Sequence, residues 1–205
     1  MYDDTVTLLA EIDAGEDTFL EWKEVVYKGD QIRLAGEAGA SKCMAEVFCT
    51  MANTEGGVVV LGVRKDGVVI GVPRDKHDLL EQFVVNVALH NCNPPIEPLL
   101  NWTLLPDQAG ELKPCLKIDV PKSRFYLHHT TDGRFLKRVG SHRQPIPAEQ
   151  LGRLLAARSL GLHFEERPAL FADLTMLDRS RVEAYHQRRF QRPLAPDAPS
   201  YEQFL

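Results

Sequence analysis

Arg134, Lys137, Arg138 and Arg143 lie close together late in the chain, with Ser141 and His142 between them. A guanidinium fork matches two phosphate oxygens, and lysine supplies a compact positive charge. A serine hydroxyl and the free backbone N–H groups of a following helix N-terminus would add donors. These six residues have the chemistry of a phosphate-holding edge, which positions a nucleic-acid backbone without reading its bases. The plainer alternative is a solvated strand face, with Arg138 clamping a nearby carboxylate.

The neighbouring residue types suggest less. Phe125, Tyr126 and Phe135 could stack on bases beside these cations, although such aromatics more often pack a sheet. His128 and His129 are adjacent, so on a strand they point to opposite faces and do not share a metal. Cys43, Cys49, Cys92 and Cys115 form no C-x-x-C pair, which indicates neither a zinc site nor a disulfide framework and leaves buried thiols. Gly36–Lys42 lacks the Gly-Lys-Ser/Thr ending of a phosphate loop, and no Gly-x-Ser-x-Gly or His-Glu-x-x-His occurs. No cofactor or metal is expected on these grounds.

The net charge of −5 argues against indiscriminate binding to polyanions, but the charge is segregated. Asp3, Asp4, Glu11, Asp13, Glu16 and Asp17 open the chain without a base. Residues 121–143 hold Lys122, Arg124, Arg134, Lys137, Arg138 and Arg143 against Asp132 alone. The hydrophobic share of 44% and charged share of 26% in 205 residues suit a soluble globular protein with one good core. Residues 1–15 carry acids and no Lys or Arg, unlike a signal peptide, so a cytoplasmic location is expected and no membrane partner.

The elements that must position these residues follow from periodicity. Asp4 can cap a short helix ended by Gly15, and Phe19–Val26 reads as a strand. Lys28–Gly39 is polar and reads as a mobile loop. Residues 40–53 have helical spacing of Cys43, Met44, Val47, Phe48 and Met51, with Asn53 at the C-terminal cap. Gly56-Gly57 then opens Val58–Val63, an apolar strand joined through Lys65-Asp66-Gly67 to a second strand ending at Val72. For Asn53, Gly56 and Gly57 both turn chemistry and ligand contact are open readings. Asp75–Asn91 is helical and is stopped by Pro94-Pro95. Ile96–Leu105 and Leu112–Val120 read as strands, and Phe125–His128 pairs with Arg134–Val139 around Thr131-Asp132-Gly133. Pro147 starts a helix carrying Leu151, Leu154 and Leu155. Phe164–Leu177 is irregular, Asp178–Phe190 helical, and residues 192–200 proline-rich. The pattern gives an α/β (α+β) domain over 1–160, with a mixed, largely antiparallel sheet and packed helices. A helical extension over 161–205 reads as the start of a further domain of a longer chain.

Ala52-Asn-Thr-Glu-Gly-Gly57, the apolar strand with Gly62-Val63, the Asp66-Gly67 turn and the closing Gly71-Val72 resemble the Schlafen AlbA-like domain. Glu21-Trp22-Lys23 stands where that family has Glu-Phe-Lys, and Arg138-Val-Gly-Ser141 with Pro145 where it has Arg-x-Gly-Ser before a helix. The resemblance spans residues 16–158. It implies DNA binding in a transcriptional regulator. In RNA-cleaving members, two glutamates and an aspartate form an acidic site for Mg or Mn, which would fall on Glu16, Glu21 and Asp66 here. Arg64 and Lys65 directly follow Gly62-Val63, however, and oppose a cation there.

The reading is non-catalytic nucleic-acid binding, with DNA as the expected partner, through Arg134, Lys137, Arg138, Ser141, His142 and Arg143. The rival is a metal-dependent endoribonuclease using Glu16, Glu21 and Asp66. A third reading is an interaction module forming a homodimer.

Overall fold

The computed structural model describes residues 5–159 and 178–190. The chain divides into two units, residues 1–162 and 163–205. In the first, α1 spans Thr5–Ala14, β1 Leu20–Lys23, β2 Val25–Lys28, β3 Gln31–Leu34, α2 Ala40–Asn53 and β4 Gly57–Leu61. After a 3-10 turn at Arg74–Lys76 come α3 His77–His90, β5 Cys92–Asn93, β6 Leu99–Pro106, β7 Leu112–Val120 and β8 His129–Thr130. The unit closes with β9 Leu136–Val139, β10 His142–Pro145 and α4 Ala148–Ser159. In the second unit the described element is α5, Arg179–Phe190, whose first turn is capped by the Asp178 carboxylate accepting from the Ser180 N–H at 2.9 Å.

The main sheet has the order β1-β4-β7-β6, parallel between β1 and β4 and antiparallel elsewhere. Every residue of β4 is buried, as an unbroken apolar run requires when both faces are covered. Val58 and Val60 face a core shared with Leu8 and Ile12 of α1 and with Leu20 and Trp22 of β1. Val59 and Leu61 face the larger core built by α2 and α3. Alternation along β1 therefore turns Leu20 and Trp22 to one side and Glu21 and Lys23 to the other.

Several expectations are corrected. The second strand of the expected 57–72 hairpin does not form: Val63 makes a single bridge to Val69, and the Val72 N–H donates to Pro114 O at 2.7 Å. β4 already has β1 on one edge and β7 on the other, so it has no edge left to pair. The expected loop over residues 28–39 begins instead with the β2–β3 hairpin, turning on Gly29 at φ +62° with Lys28 opposite Gln31. Four-residue strands with polar alternate positions carry too weak a pattern to read. Phe125–His128 does not pair with β9: β8 pairs with β5, and β9 pairs with β10. Asp4, residues 164–177 and residues 192–200 lie outside the described residues.

The glycine pair serves packing. A Cβ on Gly57 would sit 2.8 Å from Phe19 O and 2.9 Å from Met51 Sδ, while one on Gly56 (φ +79°) would sit 2.8 Å from Val120 O. Gly57→Ala is expected to lower stability by about 1–3 kcal/mol through overpacking, measured by urea denaturation.

Candidate nucleic-acid interface

Alternation along β9 buries Leu136 and Arg138 and turns Lys137 and Val139 outward. The Arg138 guanidinium lies inside the domain. Nη1 donates to Glu21 Oε2 at 2.5 Å, Nε to Asp17 O at 2.9 Å and Nη2 to Leu20 O at 3.2 Å. The Arg138 backbone N–H donates to Thr54 Oγ1 at 3.0 Å. The other Glu21 oxygen takes Lys23 Nζ at 2.9 Å. Burial works to raise the Glu21 pKa, but the Lys23 and Arg138 charges outweigh it and hold the carboxyl below its ordinary value. Burial likewise opposes the Lys23 charge, yet Glu21 keeps its pKa above the usual lysine value. Arg138 is thus a clamp between β9 and β1. Its expected place at a phosphate-binding surface is corrected, because its side chain is fully covered.

Two of the other expected arginines also meet acids. Arg134 pairs with Glu46, and Arg143 lies 3.4 Å from Glu46 and 3.6 Å from Glu37. Glu37 in turn is 3.8 Å from Lys23. The result is a charge ladder that stitches β1, the β3–α2 connection, α2 and the β9–β10 hairpin together. Ser141 and His142 are exposed at the hairpin turn, where Gly140 takes φ +59°. Ser141 thus lies on a two-residue turn well before α4, and the expected helix N-terminus is not beside it. Lys137 donates to Gln150 Oε1 of α4 at 2.7 Å and meets no carboxylate among the described residues.

The carboxylates expected under the nuclease reading have other partners. Glu16 accepts the Trp22 N–H at 3.2 Å. Both Glu21 oxygens are held by cations. Asp66 sits exposed on the tight turn after β4, pairs with Arg64 and accepts the Val68 N–H at 3.3 Å. Among the described residues no three His, Cys, Asp or Glu side chains gather as a metal site. The adjacent histidines part as expected: His128 is buried, with Nδ1 donating to Pro94 O at 2.7 Å, while His129 Nδ1 donates to Thr130 O at 2.9 Å. Burial pushes the His128 pKa down, favouring the neutral ring. All four cysteines are buried free thiols, and burial pushes Cys43 and Cys115 up to about 12.

The residues that organise this side of the domain cluster at the end of α2. Asn53, rather than capping its own helix, donates Nδ2 to His128 O at 2.7 Å and Leu136 O at 2.9 Å, and accepts the His128 N–H at 2.8 Å. The Asn53 carbonyl accepts Arg158 Nη2 at 2.7 Å, and Arg158 Nη1 donates to Tyr126 O. Arg124 is exposed and pairs with no described residue. Arg124 and Lys137 therefore meet no carboxylate among the described residues. Arg158 forms no ion pair with a described carboxylate, but the Glu55 charge reaches it, and burial outweighs that charge and holds its pKa below the usual arginine value. Nothing in the local sequence separates these three cations from Arg134, Arg138 and Arg143; only the distant acids do. An open cleft of about 480 Å³ beside Lys122 is lined by Glu55, Glu97 and Asp119, which repel phosphate.

A family model, Schlafen, AlbA_2, matches residues 16–147, well over half of the chain. The chain belongs to the Schlafen AlbA_2 family. Membership points to a nucleic-acid-related function for this AlbA_2 domain. No curated protein matches the chain. Among solved structures it is similar to the DIP2311 protein from Corynebacterium diphtheriae, at 22% identity and a TM-score of 0.48, covering 75% of this chain and 32% of that one. The chain thus spans about a third of that protein's length. Within the AlbA_2 match, the Asn-Thr and Arg-x-Gly-Ser motifs meet physically, through Thr54 Oγ1 and the Arg138 N–H. Among the described residues no helix is long and apolar enough to cross a membrane.

Proposed function

We propose that this Schlafen AlbA_2 domain binds nucleic acid without cleaving it, as the DNA-anchoring part of a transcriptional regulator. The carrying observation is that Lys137, held to α4, and Arg158, on α4 itself, form no ion pair with a carboxylate among the described residues. Lys137 meets Gln150, and Arg158 stands eight residues on (158 − 150 = 8), about 12 Å along the helix axis. With Arg124 in the adjoining loop and Ser141 and His142 at the hairpin tip, donors are available for a phosphodiester backbone. The revised contact set is Arg124, Lys137, Ser141, His142 and Arg158. Arg134 and Arg143 hold the fold through Glu46 and Glu37. Family membership supports nucleic acid as the ligand class, and the occupied oxygens of Glu21 support binding without hydrolysis.

The test is a titration of labelled duplex DNA at low and moderate salt, run beside incubation of the protein with transfer RNA and Mn²⁺. Binding that weakens as salt rises, with the transfer RNA left intact, is the expected result. Cleavage that Glu21→Gln abolishes would favour the ribonuclease reading instead.

A further inference from the structure

Phe125 and Tyr126 are 55% and 60% exposed, whereas Phe135, the third aromatic of this region, packs its ring 4.8 Å from His129. Their exposure does not come from a loose loop. The Ser123 N–H donates to Ala52 O at 2.9 Å, and Ser123 Oγ accepts the Tyr126 N–H at 3.3 Å. Arg158 holds the Tyr126 carbonyl, Leu127 is buried beneath, and His128 is bound by Asn53. The backbone is anchored to the end of α2 and to α4 while two large rings are held in water. Solvated aromatics on an anchored loop forgo burial in the core, which makes them candidates for a ligand's face.

The surrounding charge indicates which ligand. Arg124 is exposed and has no partner among the described residues, between Lys122 and the two rings, and Arg158 reaches the same loop from α4. Glu55 pairs with Lys122 at 2.7 Å and its charge also reaches Arg158, while Glu97 and Asp119 line the cleft beside Lys122. The positive charge beside the rings that no described acid offsets is therefore that of Arg124. Rings interleaved with cations fit a strand whose bases are unpaired and can turn their faces outward. A duplex keeps those faces inside its own stack and offers the rings only backbone.

We propose that residues 122–126 form a stacking platform for single-stranded nucleic acid, with Phe125 and Tyr126 receiving bases and Arg124 and Arg158 holding the phosphodiester backbone. The inference rests on the nucleic-acid reading above and specifies its ligand. DNA and RNA strands share the chemistry invoked, and the probes separate them.

The experiment is fluorescence anisotropy with labelled oligothymidylate, oligouridylate and a blunt DNA duplex of equal length, using the full chain and its Phe125→Leu/Tyr126→Leu variant. Leucine keeps apolar area but removes the π face, and far-UV circular dichroism checks that the fold is kept. One or both single strands should bind more tightly than the duplex, and the double variant should weaken single-strand binding about tenfold or more while leaving duplex affinity unchanged. Tyr126→Phe should retain the wild-type preference. Equal losses on strand and duplex, or an unchanged single-strand affinity, would overturn the platform while leaving general phosphate binding in place. If the variant instead changes only the sedimentation of the protein with itself, the rings are a protein contact and the platform is wrong. Failure of the wild type to bind any probe would remove the underlying reading as well.

Discussion

Arg138→Met is expected to destabilise the domain by about 3–5 kcal/mol, among the largest effects available to a single substitution. Methionine approximates the volume of the arginine stem but leaves the buried Glu21 with only one of its two counter-charges, that of Lys23, and it leaves the carbonyls of Asp17 and Leu20 without their donor. The pH dependence gives the sign. Glu21 has a folded pKa below its ordinary 4.5, so its contribution is present above that value and is lost as the pH falls through the lower, folded one. In the variant the charged carboxylate is the liability, so the stability gap to wild type should narrow as acid neutralises Glu21. Urea denaturation at neutral pH and near pH 4, and with Arg138→Met/Glu21→Gln beside the single variant, measures this. The double variant should recover part of the loss. A gap that is small at neutral pH, or that widens in acid, would contradict the clamp.

Asn53→Ala should cost about 2–4 kcal/mol, because it orphans one N–H and two carbonyls inside the protein. The affected groups belong to His128 and Leu136, 75 and 83 residues away in sequence. The loss should therefore appear in the late segment before the main sheet. Hydrogen exchange should show residues 123–139 opening at lower free energy while β4 and β7 stay protected. Asn53→Asp tests the geometry, since it keeps the acceptor for the His128 N–H but turns the donating group into a second acceptor facing two carbonyls. It should be at least as damaging as alanine. Uniform deprotection across the domain would instead mean that Asn53 is no local latch.

The fold class was legible because its strongest signals are local. The unbroken apolar run of β4 and the helical spacing of Cys43, Met44, Val47, Phe48 and Met51 each report a face buried on all sides. The order of the motifs led to the family. Pairing partners were less legible: residues 68–72 look like a strand, but β1 and β7 had taken both edges of β4. The site was least legible. Arg134, Lys137, Arg138 and Arg143 look alike in sequence, and what divides them is the position of Glu21, Glu37 and Glu46. The Arg138–Glu21 contact spans 117 residues, and no local pattern encodes it. Asn53 was visible as a conspicuous residue at the end of a helix, but its partners became identifiable only once β9 and the loop before it were placed against α2.

The most direct test of the account is the salt dependence of nucleic-acid affinity in two variants that remove positive charge from different places. Arg124→Gln/Lys137→Gln removes cations that no described carboxylate neutralises. Arg134→Gln removes one already committed to Glu46. Log–log plots of affinity against salt should lose a slope of about 2 in the first variant and close to none in the second. Equal slopes in wild type and the double variant, or a larger change from Arg134→Gln, would mean that phosphate is held by the paired arginines and that fold-holding and ligand-holding cations are not separate sets.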